Sequence, residues 1–241
     1  HIAQQQAGLR YWATQEGLEA LSALFDLEEA FPSMQRWAVK RIKIHVGFSQ
    51  GWVNACDALN QNIRVYFLVD GKLYRGHDMH SGMIQGCTIS TVDLPLVLEI
   101  FIWHVSLQLE RAQLSYRFFQ FADDIAMNSA VHRDTGLNRF KAVAVVLREG
   151  RKGKFIFGLV FRLGKLQIIT TNPVISEDDT RELGRDAVDQ LMKIGAKGRY
   201  LGVWVTILPE DQIQALYEEQ LQKMYTRIRE SHPIGRFQRH F

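Results

Sequence analysis

The sequence predicts an α+β fold, an antiparallel sheet packed on helices. Three observations carry that expectation. Residues 62–77, around Asp70-Gly71, and residues 116–129, around Asp123-Asp124, read as β-hairpins. The run Ala20 to Leu27 reads as a buried strand. Helical periodicity recurs over residues 93–109, 138–149, 177–193 and after 209. Strands closed as hairpins are antiparallel, so the sheet is expected to be largely antiparallel too.

Composition bounds the function. With 241 residues, 46% hydrophobic and 23% charged, the chain has core material for one large domain or two small ones, which excludes wholesale disorder. A net charge of +3 permits a polyanionic partner without requiring one. Cys56 and Cys87 form no C-x-x-C, so neither a disulfide framework nor a zinc knuckle is expected, and a reducing compartment is the simpler assumption. No uninterrupted apolar run reaches membrane-spanning length, the start carries no signal pattern, and no membrane partner is expected. The first residue is His1 rather than Met, so an excerpt of a longer chain is expected.

Taken in order, residues 1–17 are polar and Gln-rich, with weak helical character. The strand from Ala20 to Leu27 presents Asp26 at its end, and Pro32 opens a helix running through Met34, Trp37, Ala38 and Arg41, since proline fits a first helical turn. Lys40, Arg41 and Lys43 read as a solvated face of that helix, with a basic stripe as the alternative. A second helix is expected to about Leu59, and the hairpin over 62–77 follows. His77 and His80 have metal-compatible spacing but no further ligand nearby, and read as surface residues. Gly82-Met83-Ile84-Gln85-Gly86 forms a loop whose glycines let backbone approach a ligand and whose Gln85 offers both a donor and an acceptor. Because Pro95 would interrupt a helix, the next helix is expected to begin near Asp93 and run to about Leu109.

At the second hairpin, Phe121-Ala122-Asp123-Asp124 sets two like charges side by side in an apolar frame. A lone Asp-Asp is ordinarily a solvated turn, but this arrangement is most readily stabilised by a divalent cation. Beyond it come the helix carrying Phe140, Val143, Val146 and Leu147, a flexible basic link over 148–154, strands Phe155 to Phe161 and Leu166 to Thr170, an acidic helix over 177–193, a short strand Tyr200 to Val205, and a helix opened by Pro209. The tail is basic, with Lys223, Arg227, Arg229, Arg236 and Arg239.

Five stretches in one order resemble the palm of reverse transcriptases, and within that group the non-LTR, LINE-like retrotransposon type. Asp26 to Phe31 is similar to Asp-x-x-x-Ala-aromatic, Gly82 to Ser90 to Gly-x-x-Gln-Gly-x-x-x-Ser, and Phe121 to Asp124 to aromatic-Ala-Asp-Asp. Gly158 to Lys165 is similar to Gly-Leu-x-x-Asn-x-x-Lys, and Tyr200 to Gly202 to the Tyr-Leu-Gly leading to the thumb. The resemblance implies a fingers remnant or linker at 1–17, a palm at 18–206 and the start of a helical thumb at 207–241. It implies an RNA-directed DNA polymerase with two Mg²⁺ ions, Mn²⁺ as a substitute, held by Asp26 and Asp123 with Asp124 in support. Lys165 would neutralise or protonate the leaving pyrophosphate. Phe31 would wall the sugar against a 2′-hydroxyl, while Gln85, Gly86 and Phe121 would line the nucleotide and template. The implied partners are an RNA template, a DNA primer and dNTPs, in nucleus or cytoplasm, with no oligomeric state implied.

The chain departs from the pattern at Thr91, where proline is usual, at Arg162 in place of asparagine, and at Leu166 in place of a small hydroxyl residue. These departures and the brevity of the segment before Asp26 keep open a second reading, a catalytically inactive palm-fold remnant that binds nucleic acid or protein. An RNA-directed RNA polymerase is disfavoured by Phe31 and by aromatic-Ala-Asp-Asp in place of Gly-Asp-Asp.

Overall fold

The structure, a computed structural model, describes residues 2–190, 193–201, 203–208 and 210–231. The chain opens with α1 (Ile2–Ala13), β1 (Leu18–Phe25), the single turn α2 (Ala30–Ser33), α3 (Arg36–His45) and α4 (Gln50–Leu59). The hairpin β2 (Ile63–Val69) and β3 (Lys72–Met79) leads to α5 (Thr88–Arg111) and a second hairpin, β4 (Ser115–Phe121) and β5 (Asp124–His132). After α6 (Lys141–Ile156) come β6 (Gln167–Thr170), α7 (Glu177–Leu183), α8 (Arg185–Asp189) and β7 (Lys193–Gly195). A small hairpin, β8 (Lys197–Tyr200) and β9 (Val203–Thr206), precedes α9 (Glu210–Ser231).

The main sheet has the order β4-β5-β1-β6-β7, antiparallel except for the β6–β7 pair. β1 lies at its centre, and its near-continuous apolar sequence suits a strand covered on both faces. Leu21, Ala23 and Phe25 join Ile125, Met127 and Ile168 in the larger core, which the helices α3, α5 and α6 complete. The alternate residues Ala20 and Leu24 face the other way, with Ala126, Ile169, Leu9 of α1, Tyr200 and Val205. On this second face Gln5 Nε2 donates to Ser22 Oγ at 2.9 Å and Asn128 Nδ2 to the Gln5 carbonyl at 2.8 Å, while Gln5 Oε1 and Asn128 Oδ1 are buried without a partner among the described residues.

Several sequence expectations are corrected. The helix opened by Pro32 does not continue: α2 ends at Ser33, Met34 takes φ −57° and ψ 135°, and α3 begins at Arg36. The break frees the Phe31 and Met34 carbonyls to accept from Met83 N (2.8 Å) and Gly82 N (3.1 Å). Lys43 is no part of a solvated face. Its ammonium lies 2.6 Å from Asp93 Oδ1 with both side chains buried, and burial raises the Asp93 pKa more than Lys43 lowers it. α5 starts at Thr88 and keeps Pro95 inside. An interior proline costs about 3 kcal/mol, but Leu94, Val97 and Leu98 are all buried, and each contributes about 1.5–3 kcal/mol. By length and composition α5 is apolar enough to cross a membrane, yet here Phe101, Val105 and Leu109 on it also belong to the core.

Residues 148–154 form the second half of α6 rather than a flexible link. Their glycines admit neighbours: a Cβ at Gly150 would lie 2.5 Å from the Phe161 ring, and one at Gly153 3.2 Å from Phe101. Glu149, buried, binds His104 Nε2 at 3.0 Å and Lys152 Nζ at 2.9 Å, tying α6 to α5. No strand forms over Phe155 to Phe161. α6 takes up Phe155 and Ile156, Gly158 follows at φ 81°, and Phe161 makes a single bridge to Leu27. The acidic helix over 177–193 is split at Gly184, φ 87°, into α7 and α8. Tyr200 to Val205 is two strands of a hairpin, not one. Gly202, Pro209, Arg236 and Arg239, and the side chains of Arg227 and Arg229, lie outside the described residues.

α7 is held to the turn before α6 by a buried pair, Arg139 Nη2 to Asp179 Oδ2 at 2.8 Å, and Ser176 and Asp179 close a capping box. Burial pushes the Asp179 pKa up, but the Arg139 guanidinium, the Ser176 N–H and Asn138 together outweigh it and leave it lowered. A depressed carboxylate adds stability that is present above its ordinary value of 3.8 and lost as pH falls through the folded value. Asp179→Asn is therefore expected to lower the urea midpoint at neutral pH, with the gap to the native chain closing on acidification below that value.

Candidate active site

Strand register assembles the site. The last β1–β5 pair is Phe25 with Ile125, so one step on Asp26 lies level with Asp124. On the other side β1 pairs with β6 as Leu24 with Gln167, and continuing that register brings Asp26 level with Lys165. The side chains bear this out: Lys165 Nζ is 3.2 Å from Asp26 Oδ2. The β4–β5 hairpin closes at Phe121 opposite Asp124, leaving Ala122-Asp123 as a two-residue turn with Ala122 at φ 53°. The turn projects Asp123 into solvent beside the half-buried Asp124.

Electrostatics shows the groups acting on one another. The Asp124 pKa is raised, first by burial, then by the charges of Asp123 and Asp26, with Lys165 opposing. Asp26 Oδ2 is closed off from solvent and faces two cations, Lys165 Nζ at 3.2 Å and Arg162 Nε at 3.9 Å. Among the described residues no three His, Cys, Asp or Glu side chains converge closely enough to hold a metal by themselves. Mg²⁺ does not need such a cage, since one or two carboxylates with waters and substrate phosphates suffice. Asp26, Asp123 and Asp124 supply hard carboxylate oxygens of the kind that cation takes, and the negative charges of Asp123 and Asp26 both act on Asp124.

The segment behind Asp26 is clamped through the backbone. Arg162 N donates to the Asp26 carbonyl at 2.9 Å, Glu28 N to Val160 at 2.7 Å, and Gln35 N to Phe157 at 2.9 Å. From the other side Gly82 and Met83 bond to Met34 and Phe31. Phe31 is thereby brought beside the loop carrying Gln85 and Gly86, both exposed, and its ring is half-buried against the core. Gly86 has φ 86° and open space where a Cβ would stand. Phe121 is 58% exposed at the hairpin end.

Three features escaped the sequence reading. Arg162, noted only as a departure, supplies a second cation near Asp26. Gly82 and Gly158 grip α2. Tyr200 braces the hairpin: its hydroxyl, with one proton to give, lies 3.2 Å from the Asp124 carbonyl and 3.4 Å from the Phe119 carbonyl, and burial, with the Asp124 charge adding, pushes its pKa up to about 12. A buried tyrosine two residues before a glycine was the available signal, and its hydroxyl needed a partner. Tyr200→Phe is expected to cost about 1 kcal/mol in urea unfolding, the net value of one such bond.

No family model matches the chain, and no curated protein matches it. Solved structures do. Apo telomerase from Candida tropicalis, truncated from its C-terminal domain, is similar at TM-score 0.58 and 13% identity over 86% of this chain and 37% of that one. Telomerase from the same organism in complex with a TWJ fragment of telomeric RNA gives TM-score 0.58 and 13% identity, covering 86% of this chain and 32% of that one. Telomerase from Candida albicans with the same kind of RNA fragment gives TM-score 0.55 and 12% identity over 85% and 32%. The chain thus spans about a third of the length of these proteins. Telomerase is related to reverse transcriptases, and the likeness shows that this chain carries a reverse-transcriptase-like α+β fold.

Proposed function

We propose that the chain is the RNA-directed DNA polymerase domain of a non-LTR retrotransposon and performs template-directed nucleotidyl transfer. The observation that carries this reading is the juxtaposition of Asp26, Asp123 and Asp124 with Lys165 at one end of the sheet, Asp26 Oδ2 lying 3.2 Å from Lys165 Nζ. The fold likeness and the order of the five motifs support it. Residues 18–206 act as the palm, 1–17 as a fingers remnant or linker, and 207–241 as the start of the thumb.

Asp26 and Asp123 offer oxygens to two Mg²⁺ ions, with Mn²⁺ as a substitute, and Asp124 supports the site electrostatically. When bound, the ions supply activation of a primer 3′-hydroxyl and stabilisation of the departing pyrophosphate. Lys165 gives the pyrophosphate a counter-charge or a proton. Phe31 walls the sugar, selecting dNTPs, and Gln85, Gly86 and Phe121 border the nucleotide and the template. The RNA in two of the telomerase structures belongs to those proteins; an RNA template and a DNA primer are proposed for this chain by extension.

A second reading, an inactive remnant that binds nucleic acid or protein, is favoured by one observation: Arg162 stands where the resembled motif has asparagine and puts a second cation 3.9 Å from Asp26. Extension of a DNA primer on an RNA template, with dNTPs and Mg²⁺ or Mn²⁺, separates the two. Extension that chelator abolishes and that rNTPs support poorly is expected. A folded chain that extends nothing with either metal leaves the remnant. Arg162→Asn is expected to lower the Mg²⁺ concentration for half-maximal extension by up to about fivefold, since a partly exposed pair is worth about 0.2–1 kcal/mol.

A further inference from the structure

On the far side of the segment that holds Asp26, a cavity of about 390 Å³ opens between the second half of α6 and residues 160–163. Its walls are Leu147, Val160, Phe161 and Leu163, and the approach is lined by Arg151, Lys154 and Phe155. The absence of a side chain at Gly150 lets the Phe161 ring lie against the helix. Phe155 is 81% exposed, the highest value among the described large hydrophobic residues.

The cations of α6 fall into two groups. Arg148 and Lys152 are both within ion-pair distance of the buried Glu149. Arg151 and Lys154 make no ion pair with any described residue, and both border the cavity. The concavity is apolar, large enough for a small organic molecule, since such pockets run from about 300 to 1,000 Å³, and flanked by two uncompensated positive charges and an aromatic ring.

We propose that this cavity binds an aromatic anion, its ring system against Phe161, Leu147 and Leu163 and its acid group at Arg151 and Lys154. The site is distinct from the carboxylate cluster, and the proposal does not rest on the polymerase reading. It is nonetheless connected to that cluster. Val160 accepts from Glu28 N, Arg162 N donates to the Asp26 carbonyl, and Phe161 bridges to Leu27, so an occupant that presses on residues 160–163 acts on the backbone carrying Asp26.

The test is a titration of the ¹⁵N-labelled chain with naphthalene-2-sulfonate and with naphthalene-2-sulfonamide, its uncharged counterpart. Saturable binding of the sulfonate is expected, with shifts at the Glu28 and Arg162 amides and affinity about tenfold or more above that of the sulfonamide. The double variant Arg151→Gln/Lys154→Gln, changed only at exposed positions, is expected to lose that advantage while binding the sulfonamide as before. Phe155→Ala is expected to weaken both ligands alike. Equal affinity for the two ligands, an unaffected double variant, or shifts that spare Glu28 and Arg162 would each overturn the proposal.

Discussion

Asp123→Asn is expected to reduce RNA-templated primer extension by about a thousandfold while leaving the melting temperature unchanged or higher. The two halves have different causes. On the proposed function Asp123 helps to hold the metal ions, and losing that carboxylate removes several kcal/mol of transition-state charge stabilisation, at about 1.4 kcal/mol per factor of ten. Stability responds the other way because Asp123 is exposed and makes no ion pair with a described residue, while its charge helps to hold the Asp124 pKa up. A carboxylate with a raised pKa costs stability above that pKa, and removing a neighbouring negative charge relieves part of the cost at neutral pH. Loss of activity accompanied by a fall in melting temperature would mean that Asp123 is structural.

Gly158→Ala is expected to cost more than about 4 kcal/mol, the range reserved for a forced backbone rearrangement. An added Cβ would stand 1.8 Å from the Ser33 carbonyl oxygen, and Gly158 already sits at φ 81°, where a side chain is strained. Gly82 meets the same turn from its other side, its Cβ position 2.0 Å from the Pro32 oxygen at φ 77°. Carbonyls of a packed turn cannot rotate aside as a side chain would. Gly86 is the internal control: its φ is 86°, but nothing lies within 4 Å of a Cβ there, so Gly86→Ala is expected to cost only the left-handed penalty of about 1–2 kcal/mol. Urea unfolding of the two variants side by side decides the matter, and similar losses would remove the clamp from the account of the fold.

Local chemistry was legible in the sequence. Asp70-Gly71 set one hairpin turn, Phe121 to Asp124 another, and the apolar run before Asp26 the central strand, because each is decided by residues close in the chain. Failures came where distant partners decide. Lys43 reads as solvated until Asp93 is brought to it, Pro95 reads as a helix boundary until Leu94, Val97 and Leu98 are buried around it, and the glycines of 148–154 read as a link until Phe161 and Phe101 press on them. For the site, the motif order named Asp26, Asp123, Asp124 and Lys165. The bracing by Tyr200 and the second cation from Arg162 depend on three-dimensional approach, which spacing along the chain does not encode.

The position of β1 at the centre of the sheet has a consequence for how the protein comes to exist. Its hydrogen-bonding partners on the two sides are a hundred or more residues away in sequence, so closing either pair requires ordering a long intervening loop. The β4–β5 hairpin needs only its own turn and can form early, whereas Asp26 meets Asp124 and Lys165 only once β1 has docked between hairpin and β6. On a growing chain Asp26 is therefore made well before its neighbours, and until they follow its strand exposes two unpaired edges that invite misassociation.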